Sequence, residues 1–297
     1  MPSVRAGIID VGSNTVRLLV AEEGRGCLET ILSERAHVGL ATDVERDGLI
    51  SEGKLAQVRQ LAEHYAALAR DSGVGRLDVV VTAPGRQSAN GGELHDVLRE
   101  ATGAPVRPLS SEEEGRLAYA GAVGSCRSVP DSIAVIDVGG GSTQLMVGTE
   151  QGPAWLRSLD LGSLRLTERL VRADPPTSGE LDAVARVVAE AFESLTPPLP
   201  ISALATGGTA RALRRVAGRR LSEKNLTWVL GELATKPTEE VAAAYAVPVE
   251  RARALAAGTI VLREAHRRLG VKLEVAKGGV REGAIRSALA ELAAEAA

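Results

Sequence analysis

Apolar and polar positions along the first forty residues read as three consecutive strands, at about 4–12, 15–22 and 27–38. The period then changes. Leu55, Val58, Leu61, Ala62, Tyr65 and Leu68 recur at helical spacing behind Ser51, which predicts a helix ending near Gly73. Leu77 to Thr82 is a short apolar run and reads as a buried strand, followed by a loop, Ala83 to Asn90, that carries Arg86. A helix at about 92–101, a strand at 105–109 and a helix at 110–123 complete this half, and residues 124–131 have linker composition. The pattern then restarts with strands at 132–138, 143–149 and 153–159, followed by helices. A strand at 201–206 runs into Gly207-Gly208-Thr209, with a helix from Ala210. The remainder is largely helical, interrupted by a strand at 272–276 and the turn Gly278-Gly279. Two domains are expected, 1–124 and 125–280, with a terminal helix at about 281–297.

The restart is also a repeat of residues. Ile8-Ile9-Asp10-Val11-Gly12-Ser13-Asn14-Thr15 and Val135-Ile136-Asp137-Val138-Gly139-Gly140-Gly141-Ser142-Thr143 align at a fixed offset of 127 (137 − 10), with Ile9, Asp10, Val11 and Gly12 meeting their own kind. Each segment ends a strand on an aspartate followed by a glycine turn. Glycine lets the backbone turn tightly and approach a ligand, so that successive N–H groups converge on an anion; Ser13, Thr15, Ser142 or Thr143 would add a hydroxyl. Asp10 and Asp137 repel phosphate, so each makes chemical sense beside a hard cation or an attacking water. The third glycine turn, Gly207-Gly208-Thr209, lies at a helix start, where the backbone amides and the dipole favour an anion. Loops of this kind, one per half, bind most economically if they face each other across a cleft that closes on the ligand.

Composition narrows the classes. Of 297 residues 44% are apolar but only 2% aromatic, so the core must be aliphatic. No apolar run approaches the roughly 20 residues that span a bilayer, and Met1-Pro2-Ser3 leads into a strand, so a cytoplasmic protein with no membrane partner is expected. Cys27 and Cys126 lack the spacing of a zinc or redox motif, and His37, His64, His95 and His266 lack metal-ligand spacing. A net charge of −3 argues against nucleic acid as a partner. Of 35 basic residues all but Lys54, Lys224, Lys236, Lys272 and Lys277 are arginine, the side chain suited to bidentate phosphate contact. The densest group is Arg211, Arg214, Arg215, Arg219 and Arg220; on a helix, 211, 215 and 219 would share one face.

These features resemble the Ppx/GppA phosphatase family of the actin-like ATPase superfamily, nearly end to end. Asp10 to Thr15 is similar to the family's first loop and Asp137 to Thr143 to its second. Thr82 to Asn90 resembles its arginine element, Ser110-Ser111-Glu112-Glu113-Glu114-Gly115-Arg116 its glutamate element, and Ser158 to Gly162 with Arg165, and Val280 to Ala284, further motifs. The resemblance implies an α/β fold of two actin-like (ribonuclease H-like) domains, each a mixed β-sheet with flanking helices, around a central cleft. It implies the short two-domain form, whose terminal helix crosses back onto the first domain, and members that are often homodimers. The implied reaction is hydrolysis of a terminal phosphoanhydride, from inorganic polyphosphate or from guanosine pentaphosphate, with Glu114 as general base. Gly12, Ser13, Asn14, Thr15, Arg86, Gly139, Gly140, Gly141, Ser142 and Thr143 would bind phosphate, joined by Gly207, Gly208 and Thr209. Asp137 would hold Mg²⁺, or Mn²⁺ in its place, with Asp10 sharing it through water, and Arg165, Arg211 and Arg215 would contact the polyphosphate.

One position departs from the pattern: the second loop of the family continues Ser-Thr-Glu, and here Gln144 takes the glutamate's place. Gln144 keeps an oxygen for a metal but loses the charge, which predicts weaker divalent binding. That departure motivates a different class, a regulator that binds polyphosphate or guanosine tetra- and pentaphosphate without hydrolysing them. A third class, an ATP-dependent sugar or acetate kinase, draws on the third glycine turn and is opposed by the arginine and glutamate elements.

Overall fold

The computed structural model describes residues 4–24 and 27–295; Met1 to Ser3 and the last two positions of the expected terminal helix lie outside the described residues. The chain divides into two compact units, Met1–Ser125 with Gly278–Ala297, and Cys126–Lys277.

The first unit begins with β1 (Arg5–Val11), β2 (Thr15–Glu23) and β3 (Leu28–His37), then α1 (Leu40–Asp47) and α2 (Glu52–Asp71). It continues with β4 (Arg76–Val81), α3 (Ala83–Gln87), α4 (Gly91–Thr102), β5 (Val106–Pro108) and α5 (Ser111–Val123). The sheet order is β3-β2-β1-β4-β5, with β1 antiparallel to β2 and parallel to β4, and β4 parallel to β5. Alternation along β1 sorts its side chains: Ile9 and Val11 join one core with α2 and α4, and Ala6 and Ile8 face the other way.

The second unit comprises β6 (Ile133–Val138), β7 (Thr143–Thr149), β8 (Gly152–Leu159), α6 (Ser163–Leu170), α7 (Ser178–Glu193), β9 (Ser202–Thr206) and α8 (Gly207–Ala217). It ends with β10 (Arg220–Leu221), α9 (Glu223–Leu233), α10 (Thr238–Tyr245), α11 (Val249–Arg253), α12 (Leu255–Leu269) and β11 (Leu273–Val275). Its sheet, β10-β11-β9-β6-β7-β8, repeats the first one's order with β10 added at the edge. Every residue from Leu255 to Leu262 is buried, so α12 is the helix about which this aliphatic core is built. The chain then returns to the first unit as α13 (Val280–Glu295), whose Ala284, Ile285, Ala288 and Leu289 cover the Ile8 face of the first sheet. Glycines let α13 and α5 meet backbone to backbone: a Cβ on Gly121 would stand 2.0 Å from Gly279 O, and one on Gly283 2.0 Å from Leu117 O.

Four expectations are corrected. Ala83 to Gln87 is a short helix and not a loop, because Pro84 sits in its first turn, where a missing N–H costs nothing. The helix after the third glycine turn starts at Gly207 and not at Ala210. It stops at Ala217, so Arg219 does not continue the face of Arg211 and Arg215; beyond Gly218, at φ 84°, Arg219 pairs with Glu274 at 2.6 Å. The polar eight-residue α1, bracketed by Gly39 and Gly48 at positive φ, has no counterpart in the sequence reading.

Candidate functional site

In the first unit, parallel pairing brings the carboxyl ends of β1, β4 and β5 to one sheet edge, where Val11 lies beside Val81 and Val81 beside Pro108. Asp10 is buried near the end of β1, and a 3.0 Å bond from Gly12 N to Thr15 O closes the first loop. The loop is held from behind. Ala41 N donates to Ser13 O at 2.8 Å, and Val38 N and Gly39 N donate to Asn14 O at 3.0 and 3.1 Å. With these carbonyls tied back and Gly12 N used to close the loop, the Ser13 and Asn14 amides are the donors left for a ligand. Asn14 Nδ2 is buried and has no partner, an orphan donor that asks for an acceptor such as a phosphate oxygen. Lys54 stiffens the support, donating to Gly39 O and pairing with buried Asp43 at 3.0 Å. Burial pushes the Asp43 carboxyl up, but bonds from Ser51 and Lys54 outweigh that and hold it below the usual carboxylate value.

The glutamate run divides into three fates. Glu112 is exposed and pairs with Arg116 at 2.8 Å. Glu113 closes a capping box with Ser110, whose bonds hold its carboxyl below the ordinary value. Glu114 turns inward, 6% exposed, and takes a 2.7 Å bond from Arg86, whose other terminal nitrogen donates to Leu109 O at 2.6 Å. The first turn of α5 therefore sets a fixed carboxylate, and α3 sets the guanidinium that orients it.

In the second unit, Asp137 is buried at the end of β6, beside Thr206 on β9 and opposite Gln144 on β7. The second loop is also held by the start of a helix. Ser163 N donates to Gly139 O at 2.9 Å, and Leu164 N and Arg165 N donate to Gly140 O at 3.0 Å. Gly162 is required there, since a Cβ would stand 2.0 Å from Gly140 O. Gly207, at φ 87°, is required beside the aspartate: its Cβ would stand 2.4 Å from Asp137 Oδ1. The next glycine makes room for a residue the sequence reading missed, since a Cβ on Gly208 would meet the buried guanidinium of Arg251 at 2.5 Å.

The duplication extends to side chains. Arg17 Nε donates to Thr15 Oγ1 at 2.9 Å, and Gln144 Nε2, at the same 127-residue offset, donates to Ser142 Oγ at 3.1 Å and to Ser158 Oγ at 3.4 Å. Arg17 faces Asp10 as Gln144 faces Asp137. Arg17 was therefore findable from the internal alignment; Arg251, on α11, had no signal in the sequence.

Several of the expected ligand side chains have partners within the protein. Thr143 is fully buried and donates its hydroxyl to Leu161 O; Thr209, also fully buried, packs against Gly258 and its Oγ1 has no hydrogen-bond partner among the described residues. Arg215 sits two turns from Gly207 along α8 and donates to Ala246 O at 2.7 Å, a cap on α10. Arg165 is 3.6 Å from Asp160 beside the second loop, and Arg211 lies on the first turns of α8. Cys27 and Cys126 are free thiols. No helix among the described residues is long and apolar enough to cross a membrane.

Asp137 fits a Mg²⁺-type ion. Among the described residues no group of three or more His, Cys, Asp or Glu could cage a metal. Mg²⁺ needs no such cage; it takes one or two carboxylates, waters and substrate oxygens. Glycine at 207 keeps a side chain of its own out of the space beside Asp137 Oδ1.

A model of the Ppx/GppA phosphatase family matches residues 19–292. Exopolyphosphatase 2 of Mycobacterium tuberculosis is 30% identical over 294 residues, covering 91% of this chain and 92% of the relative. Exopolyphosphatase 1 of Mycobacterium bovis is 29% identical over 303 residues, 95% of this chain and 87% of the relative. Among solved structures, an Aquifex aeolicus Ppx/GppA family member superposes over 99% of both chains with a TM-score of 0.83 and 26% identity. An exopolyphosphatase-like protein at 21% identity has the same fold, with a TM-score of 0.90 over 99% of this chain and 100% of its own. The actin-like class expected from the sequence is the class present.

Proposed function

Since this chain belongs to the Ppx/GppA phosphatase family, we propose that it hydrolyses the terminal phosphoanhydride of inorganic polyphosphate and releases orthophosphate. The observation that carries this reading is the buried carboxylate of Glu114, fixed by Arg86 at 2.7 Å at the sheet edge where the first loop opens. Phosphoryl transfer asks a protein for positioning and charge neutralisation more than for covalent chemistry. Water attacks the terminal phosphorus, the bridging P–O bond breaks, and the shortened chain leaves with the bond's electrons. Glu114 takes the proton of the attacking water. Arg86 holds that carboxylate in place and keeps further N–H donors for phosphate oxygens. Gly12 N and Gly139 N close their own loops on Thr15 O and Ser142 O, so the donors for phosphate oxygens are the Ser13 and Asn14 amides with the Asn14 side chain in the first unit, and in the second the Gly140 and Gly141 amides and those at the start of α8. Asp137 would hold Mg²⁺ or Mn²⁺, which when bound neutralises phosphate charge.

The test is orthophosphate release by the purified protein from long-chain polyphosphate, guanosine pentaphosphate and ATP, compared side by side in Mg²⁺ and Mn²⁺. Polyphosphate is expected to give the highest kcat/KM. Preference for guanosine pentaphosphate would move the reading to the alternative substrate, and release from neither would reject hydrolysis.

Gln144 supports a second reading, a protein that holds these polyanions without turnover. Residues opposite each other in an antiparallel pair have Cβ atoms about 4.5–5.5 Å apart, so Gln144→Glu would place a second carboxylate beside Asp137. The expected result is a half-maximal Mg²⁺ concentration about tenfold lower. Without metal the two like charges should lower the melting temperature. Tight binding with no turnover until this substitution is made would favour the second reading; an unchanged Mg²⁺ requirement would remove Gln144 from the metal question.

A further inference from the structure

A groove of about 440 Å³ runs between α7 and α12 in the second unit, within the size range of small-ligand sites. Its floor includes Val188 and Ile260, and its walls carry Arg186, Arg263 and Arg267. Two acids also line it, but Glu264 is bonded to Arg268 at 3.3 Å, and Asp182 lies one turn from Arg186 without pairing with it. Arg267 is held by Glu223 at 2.8 Å. Arg186 and Arg263 make no hydrogen bond or ion pair with another described residue. Arg263 is half-buried, and burial together with the like charge of Arg267 pushes its guanidinium below the usual value. Glu223 and Glu264 attract Arg263 from a distance, but no described carboxylate pairs directly with either guanidinium, and two such groups over an apolar floor are an arrangement that an incoming anion would complete, because a low-dielectric wall strengthens the attraction.

Resting on the polyphosphate reading, we propose that this groove is a second anion site that holds a stretch of the phosphate chain away from the bond being broken. α12 supplies the link. Its Gly258 packs against Ser163 and Thr209, which belong to the elements that support the second loop and the third glycine turn. Arg263 and Arg267 follow five and nine residues later, a rise of ~8 and ~14 Å along the helix. A chain of many phosphates reaches further along such a path than tripolyphosphate does.

The experiment uses the whole protein with Arg186→Gln and with Arg186→Gln/Arg263→Gln; Arg186 is exposed, so the single variant keeps the fold. The double variant is expected to raise KM for long-chain polyphosphate by about 5–30-fold. Its kcat should stay within about twofold, and its kinetics on tripolyphosphate should not change. An unchanged long-chain KM, or an equal loss on both lengths, would overturn the proposal. Binding of end-labelled polyphosphate in EDTA separates this proposal from the hydrolytic reading. If the protein proves inactive, weaker binding by the double variant still supports the groove, while equal binding, or none by either protein, rejects it. A changed association state with polyphosphate binding intact would make the groove a contact between copies, and the proposal would fail.

Discussion

Replacing Glu114 with glutamine is expected to lower kcat for phosphate release by about 10²–10⁴-fold while KM for polyphosphate changes little. Glutamine keeps the volume of the side chain and an oxygen for Arg86, so the fold and the guanidinium stay where they are; what is lost is the ability to take a proton. Glu114→Ala should cost as much activity and also leave Arg86 without its 2.7 Å partner. Because that arginine's side chain is 22% exposed and keeps its bond to Leu109 O, the added cost to stability is about 1–2 kcal/mol. Pre-steady-state release of orthophosphate, with circular dichroism to confirm the fold, is the measurement. Turnover close to wild type in Glu114→Gln would remove this residue as the base. Glu112→Gln, altering an exposed surface pair, should leave kcat unchanged.

Gly162→Ala should inactivate the protein by a different route. The added Cβ would stand 2.0 Å from Gly140 O and 2.3 Å from Gly141 N, both backbone, so no side chain can swing away to relieve the clash. Either α6 or the second loop must move. The three amides that α6 sends to Gly139 O and Gly140 O would be lost or stretched, and the loop donors would shift with them. Overpacking of this kind destabilises by about 1–3 kcal/mol, and a displacement near 1 Å at a positioned site costs about 100-fold in rate. A fall in melting temperature together with a loss in kcat/KM is expected. Gly179→Ala, on a helix with nothing within 4 Å of the added carbon, is the matched control. Wild-type kinetics in Gly162→Ala would show that the rear support of the loop is dispensable.

Much of this architecture was readable before any coordinate. The aspartate-tipped strands, the glycine turns and the restart of the pattern were legible because each depends on neighbours a few residues away: side-chain alternation, apolar spacing and the freedom of glycine. The shift of α8 to Gly207 and the helix at Ala83 to Gln87 were misplaced at the same scale, since glycine and proline break elements in some settings and start them in others.

The amino-acid order alone determined which residues could serve: two aspartates at strand ends, a run of three glutamates, an arginine after β4 and a glutamine where a charge was expected. Tertiary structure decided which of them are in use. It turned Glu114 inward and left Glu112 in water, buried the hydroxyls of Thr143 and Thr209, drew Arg215 away to cap α10, and brought Arg251 to Gly208. The reason is physical: burial and partnership depend on contacts between residues far apart in the chain, and no local period or motif encodes the partner that packing will supply.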